Sequence, residues 1–261
     1  MYFKEDSHQY FNEKGEEYKS VSYLAKLLDK KDESFWKAKK VKIAKQRGIT
    51  VAELTAEWDK KKLLGTTAGT IIHNDREQDL IDNEFSYMNV VCKKKECPIE
   101  DDGYKWSIPI VQLENNTVYP ELMIYDHNYK LCGQSDKVIV KDNTIYVEDY
   151  KTDKSIERRS FGSEWGQTDR FKDPVSHLED CNYNMYSIKM SCYMFMLWKA
   201  NKHLKIGKLI LEHLSILRDK EGIPILNSNG RPTIMKTERI EVPYLRKEVR
   251  DIFNAYKEGR L

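Results

Sequence analysis

Asp136, Asp149 and Lys151 sit at the ends of two adjacent apolar runs in CGQSDKVIVKDNTIYVEDYKT, residues 132–152. Convergent carboxylates make a site for a hard divalent cation, and a lysine beside them can orient or help deprotonate an attacking water. Strand alternation points Ile145, Val147, Asp149 and Lys151 one way and Tyr146, Glu148 and Tyr150 the other. Asp142 and Asn143, between Lys141 and Thr144, are turn formers, so the two runs read as a hairpin that brings the Asp136 end of one strand to the Asp149 end of the other. Taken alone, Asp149 and Lys151 are equally what an exposed ion pair looks like, worth under about 1 kcal/mol, with Asp136 capping a turn.

Further polar residues fall at telling spacings. Gly69, Thr70 and His73 are three and four apart, hence neighbours on one helical face, and the glycine lets something approach the backbone closely. A histidine there is also an ordinary surface or core residue. Glu121 lies in the strand-like run VYPELMIYD, about one strand upstream of Asp136, where it also suits a solvent-facing acid. Lys189 and Tyr193 form an i, i+4 pair on a later helical stretch.

The elements that position these residues begin with a short hairpin around Glu13, Lys14 and Gly15, then a helix after Ser20 or Ser22. Helical segments follow around Phe35, Trp36, Val41 and Ala44, then Val51, Leu54 and Trp58, with Arg47, Gly48 and Ile49 as the break. A further helix is expected to start near Thr66 or Thr67 and run through Ile71, Ile72 and Leu80. Strands are expected at 106–111 and 118–125, then the hairpin, then a long polar stretch at 155–182 without clear period. That stretch reads as a mobile flap over the site, offering Arg158, Arg159, Arg170 and Lys172. A helix at 184 to about 202, a strand at 209–214, a hairpin around Asn229 and Gly230, a strand ending near Val242 and a helix at 245–256 complete the chain. The order implies an α/β fold with a mixed central sheet flanked by helices, one domain over 1–261, with 1–64 as a mainly helical subregion.

The chain has 261 residues, 33% charged and 40% hydrophobic, and no apolar run near the roughly 18 to 20 residues of a membrane span. The N-terminus MYFKEDSHQY lacks a signal-peptide core, so a cytoplasmic protein with no membrane partner is expected. Five cysteines, at 92, 97, 132, 181 and 192, include no CxxC pair, and reduced, unligated thiols follow. Net charge is only +2, but positions 30–47 hold eight basic and two acidic residues, and Lys60, Lys61 and Lys62 follow. Such a run fits a solvated helix face or a phosphate-tracking surface.

Gly69-Thr70 with His73, then Glu121, Gly133-Gln134-Ser135-Asp136, Asp149-Tyr150-Lys151 and a helix with Tyr193 resemble, in order and spacing, the motifs of PD-(D/E)XK nucleases of the RecB-like and phage exonuclease branch. PVSHLEDCNYN, residues 174–184, is similar to the segment preceding the motif helix in phage members. The resemblance implies a restriction-endonuclease-like core and a metal-dependent DNA nuclease, acting on DNA ends or single strands in replication, recombination or repair. It implies Mg²⁺ or Mn²⁺ held by Glu121, Asp136, Asp149 and His73, catalysis by these with Lys151 and Tyr193, and substrate contacts from Thr70, His177, Lys189 and Tyr193. One departure stands out: the helix of the family presents a glutamine four residues before the tyrosine, where this chain has Lys189. A nuclease-derived DNA-binding module without catalysis is the alternative.

Overall fold

The structure is a computed structural model that describes residues 2–4, 9–83, 90–92, 104–106, 112–161, 166 and 168–261. Three short strands open it, β1 (Tyr2–Lys4), β2 (Gln9–Phe11) and β3 (Glu17–Ser20). Three helices follow, each started by a side-chain cap. Ser20 accepts from the Tyr23 amide at α1 (Val21–Leu27), and Asp32 from the Phe35 amide at α2 (Glu33–Arg47). Thr50 and Glu53 form a reciprocal capping box at α3 (Val51–Asp82). Gly48, left-handed at φ 65°, ends α2.

The helix expected to begin at Thr66 or Thr67 does not begin there: α3 runs unbroken for 32 residues, straight through position 64. The Thr66 hydroxyl donates back to the Lys62 and Leu63 carbonyls, and that of Thr70 to the Thr66 carbonyl. Both threonines therefore serve the helix interior and not a cap. Gly65 costs the helix about 1 kcal/mol relative to alanine without ending it.

The remaining elements are β4 (Val91–Cys92), β5 (Tyr104–Trp106), β6 (Thr117–Asp126), β7 (Leu131–Lys141), β8 (Thr144–Lys151), α4 (Asn182–Ala200), β9 (Lys205–Ile216), β10 (Ile234–Val242) and α5 (Arg246–Lys257). Of the strand expected at 106–111, positions 107–111 lie outside the described residues, as does Cys97; Cys132, Cys181 and Cys192 are free thiols, and they and Cys92 are buried. The central sheet is mixed, in the order β4-β6-β7-β8-β9-β10. β6–β7, β7–β8 and β9–β10 are antiparallel, while β4–β6 and β8–β9 are parallel. The parallel β8–β9 step needs a crossover, which α4 provides. β3 pairs parallel with Leu131 and Cys132 of β7, on an edge that β8 leaves unpaired, and ties in β2, β1 and β5. At the β7–β8 turn, Asp142 and Asn143 have φ of 50° and 56°, the two left-handed residues of a tight hairpin.

Helices cover both faces. On one, Val138, Val140, Ile145 and Val147 join Ile188, Met190, Cys192 and Met194 of α4, with Leu24 of α1 and Ile252 and Phe253 of α5, in the main core. On the other, Ala68 and Ile72 of α3 meet Tyr150 and Leu214, and Leu80 meets Val118 and Ile139. The polar stretch at 155–182 is anchored and not a loose flap among its described residues. Phe171 and Val175 are fully buried in the main core. The Lys172 amide donates to the Leu28 carbonyl, the Arg170 guanidinium to the His177 carbonyl, and Arg158 stacks on Tyr183 at 4.3 Å. No helix among the described residues is long and apolar enough to cross a membrane.

Candidate metal centre and cleft

Register places three acids in one row across three adjacent strands. Pro120 pairs with Lys137 and Leu122 with Ser135, so Glu121 stands opposite Asp136; Lys137 pairs with Glu148, so the next step sets Asp136 opposite Asp149. Regular pairing skips this row between β6 and β7 and ends just before it between β7 and β8. Glu121 is left-handed at φ 46°, a strained conformation for a non-glycine residue inside a strand. The inward-facing set changes parity here in both strands: Tyr119 and Val138 lie in the main core on one side of the row, and Leu122, Ile124 and Leu131 on the other. Beyond Lys137–Glu148 the strands part, and the Tyr150 amide, instead of joining a ladder, donates to Asp136 Oδ2 at 2.7 Å.

α3 brings His73 onto this row. Its Nδ1 is 3.4 Å from Asp136 Oδ1 and 3.9 Å from Glu121 Oε1, and one ligand atom from each of His73, Glu121 and Asp136 lies within 4.8 Å of the others. Asp149 is instead held by the Lys151 ammonium, which also donates to the Tyr150 carbonyl at 3.0 Å. Burial tends to lower the His73 pKa, but the Asp136 carboxylate outweighs it and holds the ring above its ordinary value. Burial likewise pushes Asp136 up, and His73 and Lys151 bring it below the usual carboxylate range. Asp149 is pushed up to about 6 by burial and by the charge of Asp136, which together exceed the pull of Lys151. Lys151 goes the other way: burial opposes its charge, but facing two acids it is held above the ordinary lysine value. Two carboxylates sharing one ammonium explain why both partners of this ion pair are raised.

From α4, Tyr186, Lys189 and Tyr193 come round at i, i+3 and i+7. Tyr193 is buried against Gly133, where a Cβ would lie 2.6 Å from its ring. Gly133 is thus the close approach that seats the tyrosine. Gly133→Ala is expected to cost about 1–3 kcal/mol of stability by overpacking. Chemical denaturation checks this, and Tyr193→Leu in the same chain should restore most of the loss. Lys189 is kept below the ordinary lysine range by burial and by the nearby Lys151. Tyr186, which was not among the candidate residues read from the sequence, donates its hydroxyl to Asp153 and carries the Lys151 ammonium 5.0 Å over its ring. Its place three residues before Lys189 was the available signal.

Beside the row, with His73, Tyr150 and Lys151 in its lining, lies a cleft of about 450 Å³. Along α3 its wall is Lys61, Gly65, Gly69 and His73, a stripe of i+4 steps, with Lys62 and Thr66 beside it. Tyr150 to Lys154, Tyr186 and the Arg218 and Gly222 turn form the remainder. At Gly69 a Cβ would lie 3.4 Å from Thr152 Oγ1, an ordinary contact, so the packing there does not demand a glycine. Arg218 braces the opposite wall, donating to the Thr152 and Gly222 carbonyls. Sequence reading missed Lys61, Lys62 and Arg218 as cleft residues, the first two because a break was expected between them and His73. Two expected contacts fall elsewhere. Thr70 is exposed and bonded within α3. His177 is exposed, with Nε2 3.3 Å from Glu248 of α5, and does not join the acids.

Behind the row, on the α3 face of the sheet, lies a second charged cluster that the sequence pattern did not reveal. Lys137 is almost fully buried, with Nζ 2.5 Å from Glu148 and 3.8 Å from Glu212, and Arg239 bonds both acids. These pairs tie β7, β8, β9 and β10 together beneath the site. No known family model matches the chain, and no curated protein matches it.

Proposed function

We propose that this chain is a divalent-metal-dependent DNA nuclease of restriction-endonuclease-like fold, acting on single strands or free DNA ends. The observation that carries the reading is the row Glu121, Asp136 and Asp149, faced by His73 and Lys151, which themselves line a cleft with Lys61, Lys62, Lys154 and Arg218 around it. Acids gathered beside a basic cleft suit a cation and a polyanion together, where a plain DNA-binding face has no use for them. The donor set fits Mg²⁺ or Mn²⁺: oxygen ligands at about 2.1 Å in an octahedron sit about 3 Å apart, which small side-chain rotations reach from the present spacing. Glu121, Asp136 and His73 would hold the metal, joined by Asp149 once its carboxylate turns from Lys151, or by the Tyr150 carbonyl. When bound, the cation supplies polarisation of the scissile phosphate and a more acidic water.

The chain's own residues do the rest. Lys151, held charged, orients the attacking water and offsets charge gathering on the phosphate oxygens as the phosphorus–oxygen bond to the leaving group breaks. Asp149, its carboxyl pushed up to about 6 by burial and the charge of Asp136, would accept the water proton. The basic side chains of the cleft position the backbone.

End-labelled linear and closed circular DNA, each single- and double-stranded, incubated with Mg²⁺ or Mn²⁺, tests both activity and end dependence. Cleavage of linear single strands is expected. No metal-dependent cleavage of any of the four would overturn the reading. Lys189 adds a narrower prediction. Replacing it with glutamine is expected to weaken DNA binding and flatten its salt dependence by a slope of up to about one unit, with cleavage retained. Turnover rising from near zero in Lys189→Gln would instead mean that the ammonium competes with the metal.

A further inference from the structure

α2 carries six basic side chains, Lys37, Lys39, Lys40, Lys42, Lys45 and Arg47, against one acid, Glu33. Among the described residues only Arg47 of these six has a carboxylate within ion-pair distance, Glu57 at 2.9 Å. The helix hides little of itself: Ala44 is its fully buried residue, while Phe35 and Trp36 are 42% and 40% exposed. Two large rings left partly in water on the most basic helix among the described residues call for an occupant.

The rings and the charges are interleaved. Phe35 and Trp36 stand edge to face, 5.4 Å between centroids. The Lys39 ammonium lies 5.8 and 4.8 Å from those two centroids and 5.9 Å from that of Phe161, which is 81% exposed. Lys40 sits 5.8 Å over Trp58 of α3. Trp58 is one turn before Lys62, which lines the cleft, and the chain from the end of β8 leads directly to Phe161. Exposed π faces separated by ammonium groups are the recognition chemistry of a single nucleic-acid strand, with bases on the rings and phosphates on the lysines. An acidic protein surface would satisfy the lysines and leave the rings unused.

We propose that Phe35, Trp36 and Phe161, with Lys39 and Lys40, form a stacking platform for the bases of a single DNA strand, a binding site separate from the acids. The strand continues over Lys62 into the cleft; this last step rests on the nuclease reading, and the platform itself does not.

The test measures binding of a labelled oligothymidylate in EDTA, so that turnover plays no part. Wild type is expected to bind with quenching of tryptophan fluorescence. Phe35→Ala/Trp36→Ala is expected to bind about 10- to 100-fold more weakly, the scale of losing stacked rings, and Phe35→Tyr/Trp36→Tyr to recover most of the affinity. An abasic deoxyribose-phosphate strand should bind wild type and the alanine variant alike. Equal oligothymidylate affinity in wild type and alanine variant would overturn the proposal, as would an equal loss on the abasic strand or no recovery with tyrosine. So would sedimentation showing that wild type self-associates through these rings, with DNA affinity unaffected by their loss. Cleavage of DNA by wild type is scored separately. Binding through the platform without cleavage sinks the nuclease reading alone, and cleavage without a platform effect sinks the platform alone.

Discussion

Asp136→Asn is expected to lower metal-dependent DNA cleavage by roughly 10³-fold, about 4 kcal/mol of transition-state stabilisation, while leaving the fold intact. Asp136 is the middle acid of the row and the one that touches both His73 and the β8 backbone. The asparagine oxygen can still accept from the Tyr150 amide, so the parted strands keep their cross-link. What disappears is the charge that a cation needs and that holds His73 above its ordinary pKa. Initial rates at saturating Mg²⁺, together with the unfolding midpoint in EDTA, make the measurement. Cleavage near the wild-type rate would remove Asp136 from the site.

Lys151→Met is expected to be the most destabilising single change at the site, on the order of 3 kcal/mol in the metal-free protein at pH 8, because it leaves two buried carboxylates without their shared cation. The loss should be smaller at pH 5. Asp149 titrates at about 6 in the folded protein against about 3.9 when unfolded, so the folded state binds this proton more tightly. Its contribution to stability is therefore full below the unfolded value and is lost as pH rises through the folded one. Without Lys151 the folded value moves higher still, and the protonated acid survives to higher pH. Urea unfolding of both proteins in EDTA across this range checks the sign: a variant as stable as wild type at pH 8 would mean that the ammonium does not hold the acids. Added Mg²⁺ should restore part of the stability, since a cation binding only the folded state stabilises it by mass action.

Much of this arrangement was legible in the residues. Alternation in β8 separated Asp149 and Lys151 from Glu148 and Tyr150, and the Asp142-Asn143 turn fixed the register that sets Asp136 opposite Asp149. The close approach expected at Gly69 is not seen, since a Cβ there would meet Thr152 only at an ordinary contact distance. The illegible parts share a cause: each depends on tertiary contacts that override a local signal. Gly65 and Thr66 look like a helix boundary, yet α3 crosses them because Ala68, Ile72 and Leu80 pack on the sheet over its whole second half. The parity change at Glu121 is a backbone event, which binary patterning cannot register. The stretch at 155–182 is polar in composition, but two apolar side chains, Phe171 and Val175, suffice to pin it.

The continuity of α3 makes the molecule a ruler. Fifteen residues separate Trp58, under the Lys40 ammonium of α2, from His73 at the acids, which at 1.5 Å per residue is about 22 Å of stiff helix. A strand stacked at about 3.4 Å per nucleotide spans that length in six or seven steps. If the platform and the acids take one strand, oligonucleotides shorter than this would touch one and not both, and the proposed digestion is expected to stall at fragments of that size. Inserting one helical turn after Lys60 would lengthen the ruler and shift the limit upward by one or two nucleotides.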